Sequence, residues 1–531
     1  MGVWKTIVLS ATQTAIVART FETARGREPL YIPCSESNIR LTQVNHMSES
    51  ATSATVKPIG YNENPDLLPV PETAKTYSAL TFSFMMFSMN TNIPMFLLGP
   101  IAAINGLDIW QAIIGAGIGN LAAVIVMGLN SIAGVKHGIT FPVQLRASFG
   151  FKGVHIMNFL RAFAGMIWFG IEAWGGSNAL ALIVLYAIGM SAEAATEASF
   201  TWLIVFLLLY LGSFVIVLRF GLKGIGKMAD YAGPIMLIYF IWLAWWMSTQ
   251  PQFAANIPKL YVSTAGYASV SFFIYLAVQT NWWATVALNI SDLARGAKKW
   301  SAVWIGLIVG VVLAQMGGTA IGYTLATLSG LGFNALPQII IITYAPGALA
   351  ILLGLLFAFL APWSTDITAN SPPVIDLLMN SLKLSWKNAV LGSAIVAFFV
   401  APWWAASNAP QYVNYFTNWA SNYGILLGPI AGPMIAHYYL IAKGKLDLQK
   451  LYTYGQGGYW YHGGWSVSGY LAVIVTWIIS YALAYMSPNY LLAKLEVGGV
   501  SIPFPGGPIW YAAVVLSFVL YYIFAKALKE Y

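Results

Sequence analysis

The sequence predicts an all-α polytopic membrane protein of about twelve transmembrane helices, and three observations carry that expectation. Of 531 residues, 58% are hydrophobic and only 8% are charged, where a soluble domain carries about 25% charged residues. The apolar residues gather into runs near the roughly 20-residue length that crosses a bilayer. Lys and Arg crowd into alternate loops between those runs.

The runs lie near 78–100, 108–133, 154–188, 199–218, 230–248, 266–290, 301–328, 345–378, 388–407, 413–442, 466–487 and 508–527. Alternate loops hold Lys136, Arg146, Lys152; Arg219, Lys223, Lys227; Arg295, Lys298, Lys299; Lys383, Lys387; and Lys443, Lys445, Lys450. That is fourteen, against Lys259 and Lys494 in the remaining loops. By the positive-inside rule this asymmetry places both termini in the cytoplasm of a cell-membrane protein. The net charge of +8 is thereby read as topology and not as affinity for nucleic acid. Trp110, Trp202, Trp245, Trp246, Trp477, Trp510, Tyr521 and Tyr522, near the ends of runs, read as interfacial anchors.

Residues 1–75 are polar and rich in Ser, Thr, Glu and Pro, and read as a cytoplasmic tail with little fixed structure. Translation from Met47 in place of Met1 would fit the same reading. The transporter core is expected over 76–442, a cytoplasmic loop over 443–465, and two further helices over 466–531. A single cysteine, Cys34, excludes an intrachain disulfide, and the five histidines form no HExxH motif.

Three runs carry polar or helix-breaking residues at mid-depth. The first has Ser88, Asn90, Thr91 and Asn92 before Pro94; the sixth has Gln279, Thr280 and Asn281 before Trp282 and Trp283. The eighth reads APWSTDITANSPP over 361–373. Proline removes a backbone donor, and in lipid the freed carbonyls need protein, water or an ion as partners. The first and sixth runs, five apart, break at the same Thr-Asn pair. Matched breaks in two halves point to a transporter site at the bilayer midplane. The blander alternative is that these polar groups only hold helices together.

Several spaced stretches resemble the nucleobase:cation symporter-1 family, whose members carry hydantoins, allantoin, uracil, purines and cytosine. They are ENPDLLPVP (63–71), HGITFPVQLRASFGFKG (137–153), MIWFGIEAWGG (166–176), NWWATVALNISDLAR (281–295), PWSTDITAN (362–370), LGPIAGPMIAHYYLIAKGKLDLQKLY (427–452) and YWYHGGW (459–465). The resemblance implies a five-plus-five inverted repeat, with segments 1, 2, 6 and 7 forming a bundle that moves against a scaffold of 3, 4, 8 and 9. It implies a planar ring held between Trp168 and Trp283, the spacing to Asn289 and Asp292 selecting Trp283 over Trp282. Asn370 and Asn92 would be pocket amides, and Gln279 is a further candidate. Glu172 stands where the hydantoin transporter has glutamine; an ionised carboxylate only accepts, so it would favour an N–H-rich edge.

The resemblance also implies a sodium site from the carbonyls of Ser88, Thr91 and Ala361 and the hydroxyls of Ser364 and Thr365, hard oxygen ligands for a hard cation. Proton coupling is the open alternative, with Asp366 able to take up a proton or set local charge. Asp292 and Arg295 would form a gate or a surface ion pair, Arg146 would anchor its loop, and Asp230 and Asp376 fall near membrane ends. The resulting expectation is a cation-coupled importer of a nucleobase or related heterocycle, with an amino-acid or thiamine-like amine carrier as the alternative. No nucleophile–base constellation suggests an enzyme, and no repeated filter suggests a channel.

Overall fold

The structure is a computed structural model that describes residues 56–344, 347–401, 424–486, 492–497, 500–505 and 509–531. Each expected apolar run is helical within them. Helix α1 is broken, Ala79–Asn90 and Ile93–Ile104 meeting at 65°. Then come α2 (Ile109–His137), α3 (Val154–Ala187), α4 (Leu203–Leu218) and α5 (Gly221–Ser248). Helix α6 begins as Val270–Asn281 and resumes only as the short turns Val286–Asn289 and Ser291–Ala294. Helices α7 (Trp300–Ser329) and α8 (Ala348–Leu382) are long. They are followed by α9 (Trp386–Val400), α10 (Leu426–Ile441), α11 (Val467–Met486) and α12 (Trp510–Ala527). Among the described residues six of these are long and apolar enough to span a membrane unaided, and α1 and α4 join them as bent pairs.

Local chemistry sets the ends. Asp108 and Gln111 form a reciprocal capping box at the start of α2, and Gly138, at φ 69°, ends it in the left-handed conformation. Ser269 caps α6 through the Phe272 N–H. Helices α1, α2, α6 and α7 pack together, and α3, α4, α8 and α9 form a second group. Helix α5 lies against α1 and α8, while α10 packs on α12 and touches α2. Glycines set the closest approach: a Cβ on Gly99 would stand 1.9 Å from Tyr323 N, and one on Gly322 would stand 2.1 Å from Phe96 O. No side chain fits between α1 and α7 there.

Four expectations change. A two-stranded antiparallel hairpin, β1 (Leu492–Val497) and β2 (Val500–Pro505), interrupts the all-α chain between α11 and α12. Two short runs separated by Gly-Gly carry that hairpin signal, which a long hydropathy window averages away. Helix α5 starts at Gly221, so Lys223 and Lys227 stand on its first turns and not in a loop; helical hydrogen bonding does not stop where apolarity does. Trp246, Trp510 and Tyr521 are buried packing residues, whereas Trp110, Trp202 and Trp245 are exposed as interfacial anchors would be. Lastly, the polar segment before α1 is built into the fold from Val56 onward, while Cys34 and Met47 lie outside the described residues.

The segment 56–77 is a strap. Ile59 bridges to Thr453. Asn64 caps a short 3₁₀ turn, Pro65–Leu67, and donates to Leu384 O at 2.7 Å and Met379 O at 3.3 Å. Asp66 accepts from the Trp386 N–H at 2.6 Å. Further on, Lys75 donates to Val135 O and the Tyr77 hydroxyl to Leu222 O. Arg146, on the short helix Phe141–Phe149, is 1% exposed. It donates to Glu63 at 2.6 Å, Leu451 O at 3.0 Å and Asn380 at 3.2 Å. Burial alone would raise the Glu63 carboxyl, but the Arg146 charge and its hydrogen bonds prevail and hold it below the usual carboxylate range.

Candidate functional site

The site grows from two breaks and one wide turn. At the first break Thr91 ends the helix, its N–H and hydroxyl both donating to Phe87 O. Asn92 restarts the chain as a 3₁₀ turn by accepting from Met95 N at 2.9 Å. Asn90 donates to Gly310 O and Val311 O, inside a π-helical stretch of α7 over Ile308–Leu313. At the second break the backbone leaves the helix between Asn281 and Val286, which carries Trp282 and Trp283. In α8 the turn Asp366–Asn370 is π-helical. One extra residue in such a turn re-aims the side chains around it.

The first break and the turn of α8 that precedes the wide one converge on oxygens. Ser364 Oγ lies 3.0 Å from Ser88 O and 3.1 Å from Ala361 O. Thr365 Oγ1 lies 3.0 Å from Met89 O and 2.9 Å from Ala361 O. All of these residues are buried. The hydroxyls donate to the carbonyls here; rotated, the same two oxygens and three carbonyls form a neutral, all-oxygen donor set that suits a hard monovalent cation. Four of the five expected ligand residues thus meet. The α1 carbonyl that reaches Thr365 is that of Met89, not Thr91; a carbonyl has no sequence signature, so the choice between neighbours in a broken turn is not readable.

Beside this cluster lies a small, partly open cavity of about 30 Å³. Its walls are Met89, Asn92 and Thr365, then Trp168 and Glu172 of α3, Trp282, Trp283, Thr285 and Val286 around the second break, and Ala369 and Asn370 of α8. Trp168 contacts Trp282 edge-on, with ring centroids 5.6 Å apart and planes at 65°, whereas Trp283 is buried with its Nε1 unpartnered. Trp282 and Trp283 both line the cavity. Glu172 is 2% exposed and its Oε1 has no partner. Asn370 donates its amide N–H to Asp366 at 2.8 Å.

Gln279 does not line the cavity. It accepts from Asn120 at 3.1 Å and donates to Tyr275 at 2.6 Å, joining α6 to α2. Asp292 and Arg295 are buried and form no surface ion pair: Asp292 accepts from Phe141 N at 2.7 Å and from Asn289 at 2.9 Å. Asp376 needs partners of its own, six residues before the end of α8. It is buried against Asp292, with Arg161 and Arg295 nearby. Arg161, which the sequence did not single out, donates to Asn289 at 2.9 Å and Ala369 O at 3.0 Å, tying α3 to both site helices. A buried arginine in an apolar run was the readable signal. A larger cleft, about 520 Å³, lies between α5, the turn after it and α7, but its lining has no charged group.

Residues 69–500 match the family of permeases for cytosine/purines, uracil, thiamine and allantoin. This chain belongs to that family. It is a multi-pass membrane permease and not an enzyme. A purine-uracil permease of Arabidopsis thaliana is 28% identical over 496 residues, covering 90% of this chain and 81% of that protein. An allantoin permease of Bacillus subtilis is 26% identical over 487 residues, covering 87% and 93%. Among solved structures, a nucleobase–cation-symport-1 family transporter, closed with bromovinylhydantoin bound, superposes with a TM-score of 0.71 at 21% identity, covering 88% of this chain and 97% of that one. The permease therefore has that fold: a five-plus-five inverted repeat, α1–α5 and α6–α10, with α11 and α12 added.

Proposed function

We propose that this permease imports a nucleobase or related planar heterocycle together with sodium, by alternating access of the α1–α2–α6–α7 bundle against the α3–α4–α8–α9 scaffold. The observation that carries the reading is the double role of α8. Thr365 belongs both to the oxygen cluster and to the cavity wall, and Asn370, five residues on, faces the same cavity. A cation at the cluster would tie α8 to the first break, and a ring in the cavity would tie α8 to the second. Each solute thus favours the arrangement the other needs, which is the physical content of coupling.

In this reading Trp168, Trp282 and Trp283 supply aromatic faces for a flat ring. Asn92, Glu172 and Asn370 meet its polar edge. Ser88, Met89, Ala361, Ser364 and Thr365 hold sodium. The basic loops face the cytoplasm and the protein sits in the plasma membrane with both termini inside. The buried Glu172, with no basic partner among the described residues, also supports a second reading in which the cargo is itself cationic, a thiamine-like amine.

The test is tryptophan fluorescence of the purified protein, titrated with allantoin, hydantoin, uracil, cytosine, hypoxanthine, guanine and thiamine, each in sodium and in choline chloride. Quenching by a neutral ring that tightens in sodium supports the proposal. Quenching by thiamine alone favours the second reading, quenching indifferent to sodium refutes the ion, and no quenching refutes the cavity as the substrate site.

A further inference from the structure

Asp292 and Asp376 are buried carboxyls that neither solute site uses. Asp292 lies on the last turn of α6, Ser291–Ala294, and Asp376 on α8, six residues before its end. The two side chains come within hydrogen-bonding reach of each other. Two carboxylates that close together, out of water, cannot both be ionised, so the contact requires a proton between them. The surroundings say where it sits. Asp292 Oδ1 accepts from Phe141 N at 2.7 Å and its Oδ2 from Asn289 Nδ2 at 2.9 Å, donors that suit a carboxylate. Asp376 Oδ2 has no partner among the described residues. The proton therefore belongs to Asp376, which donates to Asp292.

Two arginines complete the group, one in each of the two helix groups. Arg161 of α3 stands near Asp376, and both belong to the α3–α4–α8–α9 group. Arg295 follows Asp292 on α6, in the α1–α2–α6–α7 group. Where the groups meet, Arg161 is turned toward α6: it donates to Asn289 Oδ1 at 2.9 Å, and also to Ala369 O at 3.0 Å. Arg295 donates to the backbone oxygen of Asp292 at 3.3 Å. Its charge also reaches Tyr77 and Tyr452, whose hydroxyls donate to Leu222 O and Leu67 O. His155, on the first turn of α3, lies near Lys383 and Arg146. Moving α6 away from α8 parts the two carboxyls and leaves one arginine beside each, Arg295 with Asp292 and Arg161 with Asp376. An opposite charge favours the ionised form, so each half becomes a neutral pair and the shared proton has no place.

We infer that Asp292 and Asp376 form a proton-binding site between α6 and α8, loaded when the two helices are together and emptied when they separate. Both carboxyls lie toward the ends that carry basic loops, Arg295, Lys298 and Lys299 after α6 and Lys383 and Lys387 after α8. The proton is thus released on the side proposed as cytoplasmic. Closing that side takes up one proton and opening it returns one, so the transport cycle is linked to protons as well as to sodium. This rests on the proposed movement of the bundle against the scaffold. Linkage fixes the sign: the state that holds more protons is favoured at low pH. Acid closes that side and alkali opens it.

The test is the distance between spin labels on Lys299→Cys, beside α7 of the bundle, and Lys387→Cys, on α9 of the scaffold, both exposed positions. The full chain is used with Cys34→Ser, in choline chloride without substrate, from about pH 5 to about pH 8. With the carboxyls intact, the ratio of short to long distance should fall with rising pH, by up to about tenfold per pH unit for one proton. Asp376→Asn keeps on Asp292 a donor that cannot be lost, so the short distance should persist across the range. A distance that does not change with pH in the parent protein overturns the inference. So does a pH response that survives unchanged in Asp376→Asn, which would assign it to another group such as His155. If Asp376→Asn does not fold, Asp292→Asn, which also leaves a single carboxyl, decides in its place: a lost pH response supports, a retained one overturns. Labels that ignore pH but move when sodium and a ring are added leave alternating access standing and remove only the proton site. Labels that move under no condition remove both.

Discussion

Trp168 shows what a residue type reveals by itself. An indole on an otherwise apolar helix reads equally as packing or as a binding face. What separates the two is company: Trp168 shares its cavity with Trp282, Trp283, Glu172 and Asn370. Burying an aromatic face on a ligand contributes about 2 kcal/mol or more, so Trp168→Ala should weaken substrate binding by roughly 30-fold or more, read as Kd by fluorescence or radioligand binding. Gln279 should behave in the opposite way. It looked like a ligand because it stands beside the Thr-Asn break, but its bonds run to Asn120 and Tyr275. Gln279→Ala leaves buried partners unsatisfied at a cost of about 1–3 kcal/mol, which should appear as a lower Tm with little change in Kd. Substrate affinity falling as far as in Trp168→Ala would show that Gln279 belongs to the site. The sequence could not set Gln279 apart from Trp282 and Trp283, because helical phase is lost at the break between them and neighbours in sequence then point in unrelated directions.

Helix α8 is the element that connects the two halves of the site, and its legibility was uneven. The polar stretch after Ala361 was unmistakable in an apolar run, and the hydroxyl pair Ser364–Thr365 falls where the carbonyls of α1 are freed by its break. The π-helical turn over Asp366–Asn370 left no comparable mark. Nothing in the residue types announces one extra residue per turn. The paired substitution Ser364→Ala with Thr365→Ala removes both hydroxyl ligands and leaves the carbonyls in place. Sodium should then no longer tighten substrate binding, while affinity in choline chloride stays near the wild-type value. Binding in the double variant that still tightens normally in sodium would refute the cation site. The single variants are expected to fall between, because each removes one of two hydroxyls from a shell of five oxygens.

At the scale of the whole molecule, the fold was legible and its fastening was not. Spans, matched breaks and the asymmetry of basic loops follow from hydropathy and charge over long windows. The strap 56–77 is polar, short of periodicity and rich in proline, so composition assigned it to a tail. Its order comes from distant partners that no local pattern contains: Leu384, Trp386 and Tyr452 on one side, Val135, Leu222 and Gly296 on the other. The first set belongs to the α8–α9 end and the loop after α10, the second to the ends of α2, α5 and α6, so the strap links helices of the proposed scaffold to helices of the proposed bundle. Its centre is the ion pair of Glu63 with Arg146, both almost fully buried. Removing one partner of a buried pair leaves an uncompensated charge, at about 3–5 kcal/mol; Glu63→Ala should therefore lower Tm markedly, and Glu63→Gln, which can still accept a hydrogen bond, should lower it less. The pH dependence has a definite sign. The Glu63 carboxyl is held below its ordinary range in the folded protein, so its stabilisation is present above the unfolded pKa and is lost as pH falls through the folded one. Wild-type Tm should drop on that acid limb, and Glu63→Gln should flatten it. If the two proteins lose stability in parallel as pH falls, the pair does not set the acid stability of the strap. If Glu63→Gln also raises the rate of exchange between inward- and outward-open states at neutral pH, the strap is a restraint on the transport cycle as well as a fastening of the fold.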